Sequence, residues 1–169
     1  MTRTKIAIYP GTFDPITYGH IDIIKRASKT FGKVIVAAAH NADKRPLFSV
    51  GERVDMLKEA TRSMANVAVD DFAGLVVDYA RKKRANVMIR GIRMLSDFEY
   101  EFQMALTNRK LDDGIETIFL MPHESYSYLS SKLIKEAGSL GADLSKFIPG
   151  SAERRLKKKL LGGISGVSR

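Results

Sequence analysis

The stretch K-I-A-I-Y-P-G-T-F-D-P-I-T-Y-G-H, Lys5 to His20, sets the architecture of this chain. The apolar run Ile6, Ala7, Ile8 reads as a short strand, Lys5–Tyr9, ending in a Pro10-Gly11 turn. A loop with a second proline, Pro15, follows, and Thr17-Tyr18-Gly19-His20 then opens an amphipathic helix. A strand that feeds a glycine-containing loop and a helix N-terminus makes an anion site, because free backbone N–H groups point outward there. His20 sits at the mouth of that helix, where it can donate a hydrogen bond to a phosphoryl oxygen. The residues therefore imply a nucleotide-phosphate site, with a capped turn before a core helix as the plainer alternative. The loop carries neither G-x-x-x-x-G-K-[ST] nor G-x-G-x-x-G, so it is not one of the two commonest phosphate loops.

Working outward, the chain alternates between two periods. Short apolar runs predict strands at Lys5–Tyr9, Lys33–Ala39, Val67–Asp71, Asn86–Arg90 and Glu116–Met121. Most lack polar alternation, as expected of parallel strands buried on both faces. Between them, helical spacing predicts Gly19–Phe31, Val50–Met64, Leu75–Arg84 and Asp97–Leu111. The second helix is announced by Ser49 and Glu52, at the spacing of a capping box. Leu129–Ala137 and Ala152–Leu161 read as helices after the fifth strand. The pattern predicts an α/β fold: a doubly wound, Rossmann-like five-stranded parallel sheet flanked by helices, with a C-terminal helical segment. Residues 1–161 form one domain in this reading, and 162–169, rich in glycine and serine, a disordered tail.

Composition narrows the class. The 169 residues are 44% hydrophobic and include no cysteine. That length can bury a real core, and the lack of thiols excludes a disulfide scaffold and a thiolate metal site. No apolar run approaches the ~20 residues that span a bilayer. The opening M-T-R-T-K leads into a strand-like run rather than a signal-peptide core. A soluble, cytoplasmic domain is the expectation. The net charge of +9 is uneven: residues 151–169 hold six basic residues and one acid. A basic terminal helix with Leu156 and Leu160 on one face suits a solvated helix, and more weakly a nucleic-acid contact.

Ligands of doubly wound sheets bind beyond the carboxyl ends of the strands. Ile89-Arg90-Gly91-Ile92-Arg93 ends the fourth strand, and arginine forks match phosphate oxygens, though such arginines also make surface ion pairs. Glu101 follows in an acidic helix start, where it either complements the helix dipole or faces the cleft. Tyr126-Ser127-Tyr128-Leu129-Ser130-Ser131-Lys132 reads as another helix opening, with serines able to bind a pyrophosphate or simply to cap the helix. Lys44, in the basic loop after the second strand, is a candidate anchor for a second phosphate. There is no Ser-His-Asp set and no His-rich metal motif; His20, His40 and His123 are far apart. Such equipment suits phosphoryl or nucleotidyl transfer, where positioning and charge stabilisation do most of the work.

G-T-F-D-P-I-T-Y-G-H-I-D, I-R-G-I-R, D-F-E-Y-E-F-Q-M-A and Y-S-Y-L-S-S-K-L-I-K-E, in that order, resemble the nucleotidyltransferases with an [HT]-x-G-H signature, and within them the bacterial phosphopantetheine adenylyltransferase family. The resemblance runs from Ile6 to about Leu161. It implies adenylyl transfer from ATP to 4′-phosphopantetheine, with magnesium, giving dephospho-coenzyme A and pyrophosphate. It also implies feedback inhibition by coenzyme A and a homohexamer built as a trimer of dimers. Carried over by motif position, Thr12 touches both substrates, Phe13 and His20 bind ATP, and His20 stabilises the transition state. Gly91, Ile92, Arg93, Glu101 and the segment Tyr126 to Lys132 would contact ATP. Lys44, Val76 and Arg90 would hold phosphopantetheine. Lys132 stands where the family usually has a third hydroxyl. No membrane or nucleic-acid partner is expected. A different acceptor, such as nicotinamide mononucleotide, is the main alternative among enzymes.

Overall fold

The computed structural model describes residues 5–40 and 45–164. Five strands, β1 (Ile6–Gly11), β2 (Lys33–Ala39), β3 (Val67–Phe72), β4 (Val87–Gly91) and β5 (Glu116–Leu120), form one parallel sheet in the order β3-β2-β1-β4-β5. The helices are α1 (Tyr18–Thr30), α2 (Val50–Thr61), α3 (Val76–Lys82), α4 (Leu95–Leu111), α5 (Ser131–Ser139) and α6 (Gly150–Ile164). The doubly wound parallel sheet expected from the strand pattern is thus present. Strand order reverses between β1 and β4, which opens a crevice at their carboxyl ends.

Alternate side chains of each strand leave opposite faces of the sheet, so two cores form. Ala7, Val34, Val36 and Ile89 pack with Ile24 of α1, Leu57 of α2 and Leu156 of α6 on one face. Ile8, Ile35 and Met88 pack with Val77 and Ala80 of α3 on the other. The expectation of strands buried on both faces holds for β1, β2 and β4. It fails for β3 and β5, whose residues are mostly half-buried, because each is an edge strand with a neighbour on one side only.

Several boundaries differ from the sequence-based expectation by one to three residues, and three of the differences are informative. Proline and glycine do not end β1: Pro10 pairs with Ala37 and Gly11 with Ala38, so the strand continues two residues further. Pairing of β1 with β4 is confined to Ala7–Val87 and Ile8–Met88, which leaves Pro10, lacking an N–H, where that side of the ladder has already ended. The segment before α5 is not its first turn. A short 3-10 turn at Glu124–Tyr126 precedes it, Ser130 caps it in an extended conformation, and the helix starts at Ser131. Finally, α6 runs to Ile164, past the expected end at Leu161. Among the described residues no helix is long and apolar enough to cross a membrane.

The basic face of α6 is largely neutralised within the fold. Arg155 pairs with Glu59 of α2, Lys159 with Glu52 of α2 at 2.9 Å, and Lys157 with Glu153 at 2.7 Å. Lys159 also lies 5.6 Å from the centre of the Phe48 ring. Leu156 is fully buried beneath them. The helix therefore packs Leu156 and Leu160 beside Gly138 of α5 and ties its charged edge to α2.

Candidate active site

A cleft of about 1080 Å³ lies over the carboxyl ends of the strands. Thr12, Phe13, His20, Arg90, Glu101 and Ser131 line it, together with Val76, Gly91, Arg93, Ser130 and Lys132. Residues between Tyr9 and Lys135 thus share one cavity. A smaller pocket of about 50 Å³, lined by Tyr9, Gly19, His20, Gly91, Arg93 and Leu129 among others, adjoins it at His20.

His20 is the third residue of α1, and its capping partner is Thr17. The backbone N–H of His20 donates to Thr17 Oγ1 at 3.3 Å, and the backbone N–H of Thr17 donates to His20 Nδ1 at 3.0 Å. In a usual capping box a Glu or Gln fills the second role; here an imidazole does. Because Nδ1 accepts, the neutral ring carries its proton on Nε2. Burial, and then the positive charge of Arg93, push the imidazole pKa down to about 4. At neutral pH the ring is therefore an uncharged donor. Phe13 meets it edge-on at 5.1 Å and meets Tyr9 edge-on at 5.4 Å.

Phe13 holds a positive φ of 51°, an uncommon conformation for a bulky residue and a local strain at the head of the loop. Gly11 makes room for its ring, since a Cβ there would lie 2.9 Å from Phe13. Gly91 is equally constrained: a Cβ would sit 2.6 Å from Ile23 and 3.4 Å from the Tyr9 hydroxyl.

The arginines arrive already engaged. Arg90 donates from Nε and Nη2 to the two carboxylate oxygens of Glu101, each at 2.6 Å, and from Nη1 to the Pro10 carbonyl at 2.9 Å. A guanidinium has five N–H groups, so one on each Nη is left for a ligand. Arg93 donates to Asp97 from Nε at 3.1 Å and to the Leu129 carbonyl from Nη1 at 2.9 Å. At α5, Ser130 Oγ accepts from the Leu133 N–H at 3.1 Å, and the Ser131 hydroxyl donates to the Pro15 carbonyl at 2.8 Å. The first backbone N–H groups of α5, those of Ser131 and Lys132, remain for an anion. Lys132 is exposed and takes part in no ion pair among the described residues.

Not every expected residue reaches the larger cleft. Ile92 donates its N–H to the Leu120 carbonyl. Tyr126 packs its backbone against Gly19, Ser127 bonds the Glu124 carbonyl within the turn, and Tyr128 meets Phe147 edge-on. Leu129 borders only the smaller pocket of the two. Lys44 lies outside the described residues.

Two residues essential to the geometry escape a reading of the sequence. Asp14, 4% exposed, accepts from the N–H groups of Leu47 and Phe48, both at 2.9 Å, and from Lys135 Nζ at 2.5 Å. Arg53, 2% exposed, donates to three backbone carbonyls. A signal for Arg53 was available: it shares a helix stripe with Met56 and Leu57, at spacings of three and four residues.

A doubly wound sheet with a histidine-headed helix and paired cationic groups at its switch point is the fold and site of a nucleotidyltransferase. Residues 8–137 match the Cytidylyltransferase-like family. The chain is 57% identical over 155 residues to a phosphopantetheine adenylyltransferase of Caldanaerobacter subterraneus subsp. tengcongensis, covering 92% of this chain and 97% of that protein. It is 52% identical over 155 residues to the phosphopantetheine adenylyltransferase of Alkaliphilus metalliredigens, covering 92% and 99%. Among solved structures, a Vibrio parahaemolyticus protein assigned as a nicotinate-nucleotide adenylyltransferase superposes with a TM-score of 0.66 at 18% identity, over 91% of this chain and 99% of that one. That likeness speaks for the fold alone. The chain belongs to the phosphopantetheine adenylyltransferase family, and its activity is adenylyl transfer.

Proposed function

We propose that this chain moves AMP from ATP to 4′-phosphopantetheine, giving dephospho-coenzyme A and pyrophosphate, by in-line attack on the α-phosphorus and without a covalent intermediate. The observation that carries this reading is His20: a neutral imidazole whose Nε2–H is the free donor, standing at the mouth of α1 in a cleft lined by Arg90, Arg93 and Ser130. The nucleophile is already a phosphate anion, so no strong base is needed. What must be overcome is the approach of anionic oxygen to anionic phosphorus and the charge of the departing pyrophosphate.

The chain's own groups divide that task. His20 donates to the α-phosphoryl oxygen as charge accumulates there. The free N–H groups of Arg90 take the phosphate of phosphopantetheine, helped by Lys44, and Val76 lines the pantetheine arm. Arg93, the first N–H groups of α5 and Lys132 receive the β- and γ-phosphates, while Glu101 keeps Arg90 in register. Gly91 and Leu129 leave room for the adenosine end beside Tyr9.

Magnesium fits this site as an ion carried by the nucleotide. Among the described residues, the two acids lining the cleft, Asp14 and Glu101, are each engaged by a cation, so oxygens of the triphosphate would hold the metal. When bound, it would neutralise charge on the leaving pyrophosphate. Feedback by coenzyme A follows in this reading from occupation of the same cleft by a larger relative of the product. A homohexamer, built as a trimer of dimers, is part of the proposal, supported by the apolar surface that α4 leaves uncovered, with Leu95 87% exposed and Phe98, Phe102 and Leu106 all about half exposed. The setting proposed is the cytoplasm.

The test is pyrophosphate release from ATP and magnesium with 4′-phosphopantetheine, then with nicotinamide mononucleotide in its place. Release with the first only, with dephospho-coenzyme A as product, is expected. Release with the second only would discard the roles of Lys44, Val76 and Arg90.

A further inference from the structure

Beneath the loops that follow β1 and β2 lies a side chain that belongs to neither. Arg53 projects from α2 into the interior. Its Nη1 donates to the Thr12 carbonyl at 2.7 Å and to the Ala39 carbonyl at 3.0 Å, and its Nε donates to the Phe48 carbonyl at 3.2 Å. Thr12 belongs to the loop after β1, Ala39 is the last residue of β2, and both line the cleft. Phe48 precedes the cap of α2.

A cation in this position is costly, because none of its three hydrogen-bond partners is a carboxylate. The stripe it shares with Met56 and Leu57 could be filled by another apolar side chain. What a guanidinium adds is a planar fork of fixed geometry. The two N–H bonds of one nitrogen point to two oxygens on two different chain segments, and so set the distance between them. Asp14 braces the same loops from the far side, joining the β1 loop to Leu47 and Phe48 and, through Lys135, to α5.

We propose that Arg53 is a positioning residue for the transfer: it spaces the Thr12 loop, which faces the nucleotide, from the carboxyl end of β2, which faces the acceptor phosphate. It touches neither substrate. Its effect is on the distance of attack, to which in-line transfer is acutely sensitive. The proposal rests on the functional reading above for the places of nucleotide and acceptor.

The experiment compares Arg53→Lys with the unsubstituted chain, each well below its own melting midpoint so that both are fully folded. Lysine keeps the charge and loses the fork. Turnover is expected to fall on the order of 10²-fold, while calorimetric affinity for ATP alone changes by less than about threefold, since the N–H groups of α5 do not depend on Arg53. Unchanged turnover per folded molecule would overturn the proposal, and so would an equal loss in ATP affinity and turnover. If Arg53→Lys does not fold, Arg53→Gln, a planar amide of shorter reach, is measured in the same way with the same outcomes. Turnover is scored with whichever phosphate acceptor the unsubstituted chain uses. An acceptor other than 4′-phosphopantetheine would sink the functional reading and leave the Arg53 comparison intact.

Discussion

Arg90 and Glu101 grip one another through two parallel hydrogen bonds, 28% and 12% exposed at their side chains and joined across β4 and α4. The pair aims the arginine, because the two bonds fix the guanidinium plane and leave its remaining N–H groups facing the cleft. Glu101→Gln keeps the shape and removes the charge, so the plane loosens. We expect the Michaelis constant for 4′-phosphopantetheine to rise about tenfold, roughly 1.4 kcal/mol, with a smaller change for ATP. Steady-state kinetics in both substrates would show the reverse if Glu101 acted chiefly on the nucleotide.

His20→Ala removes the neutral donor proposed above for the α-phosphate. By comparison with other preorganised donors, turnover should drop about 10²- to 10³-fold, with ATP binding little altered. Measured losses that are equal in binding and turnover would mean that the ring serves the ground state as much as the transition state.

The depressed pKa of His20 makes a prediction about acid. Its folded value, about 4, lies below the ordinary histidine value of 6.5. The folded protein therefore disfavours protonation of this ring relative to the unfolded chain. Stability owed to that difference is complete above about pH 6.5 and is lost as pH falls toward 4, on the order of 3 kcal/mol in all. Proton NMR of the ligand-free protein should show one of the three histidines titrating near pH 4, and His20→Gln should abolish that resonance. A His20 midpoint at the ordinary histidine value would contradict the desolvation of the ring and the influence of Arg93 on it.

Lys132 occupies a position at the start of α5 where the resembled family usually has a hydroxyl. Lys132→Ser should raise the Michaelis constant for ATP, or for pyrophosphate in the reverse direction, if its ammonium reaches the leaving group. Kinetics identical to the parent would put the side chain in solvent and leave the backbone N–H groups of α5 to act alone.

The docking of α6 separates two kinds of contact by size. Leu156→Ala should cost about 2–5 kcal/mol, because the side chain is fully buried and leaves a cavity. Arg155→Ala, which breaks a partly exposed pair with Glu59, should cost at most about 1 kcal/mol. Denaturant melts of the two variants measure both.

The sheet was legible in the sequence because runs such as Lys33–Ala39 are too apolar and too short for anything but buried strands. The described loops that line the cleft were legible because each follows a strand end. The start of α5 was not. Leu129 is apolar and sits at helical spacing from Leu133, yet it lies just outside the helix, buried in the same core as Ile134. Those two hold the positions of a hydrophobic staple across the Ser130 cap, and a staple carries the same periodicity as a helix turn. Arg53 and Asp14 were obscure for a different reason. Apart from Lys135, their partners are backbone groups of other segments, and backbone groups have no letter in a sequence. The mutual engagement of Arg90 and Glu101 was hidden likewise: both were visible as candidates for separate substrates, and only the register of β4 against α4 makes them a pair.

Lys135 reaches Asp14 across 121 positions of chain, and Ser131 reaches Pro15 across 116. The loop that heads α1 is therefore synthesised more than a hundred residues before the residues that clamp it. During translation the β1 loop emerges with its aspartate unpaired and its proline carbonyl unbonded. Only after α5 has left the ribosome can both contacts close. A growing chain thus carries His20 and the glycine of the β1 loop long before that loop is clamped in the shape the site requires.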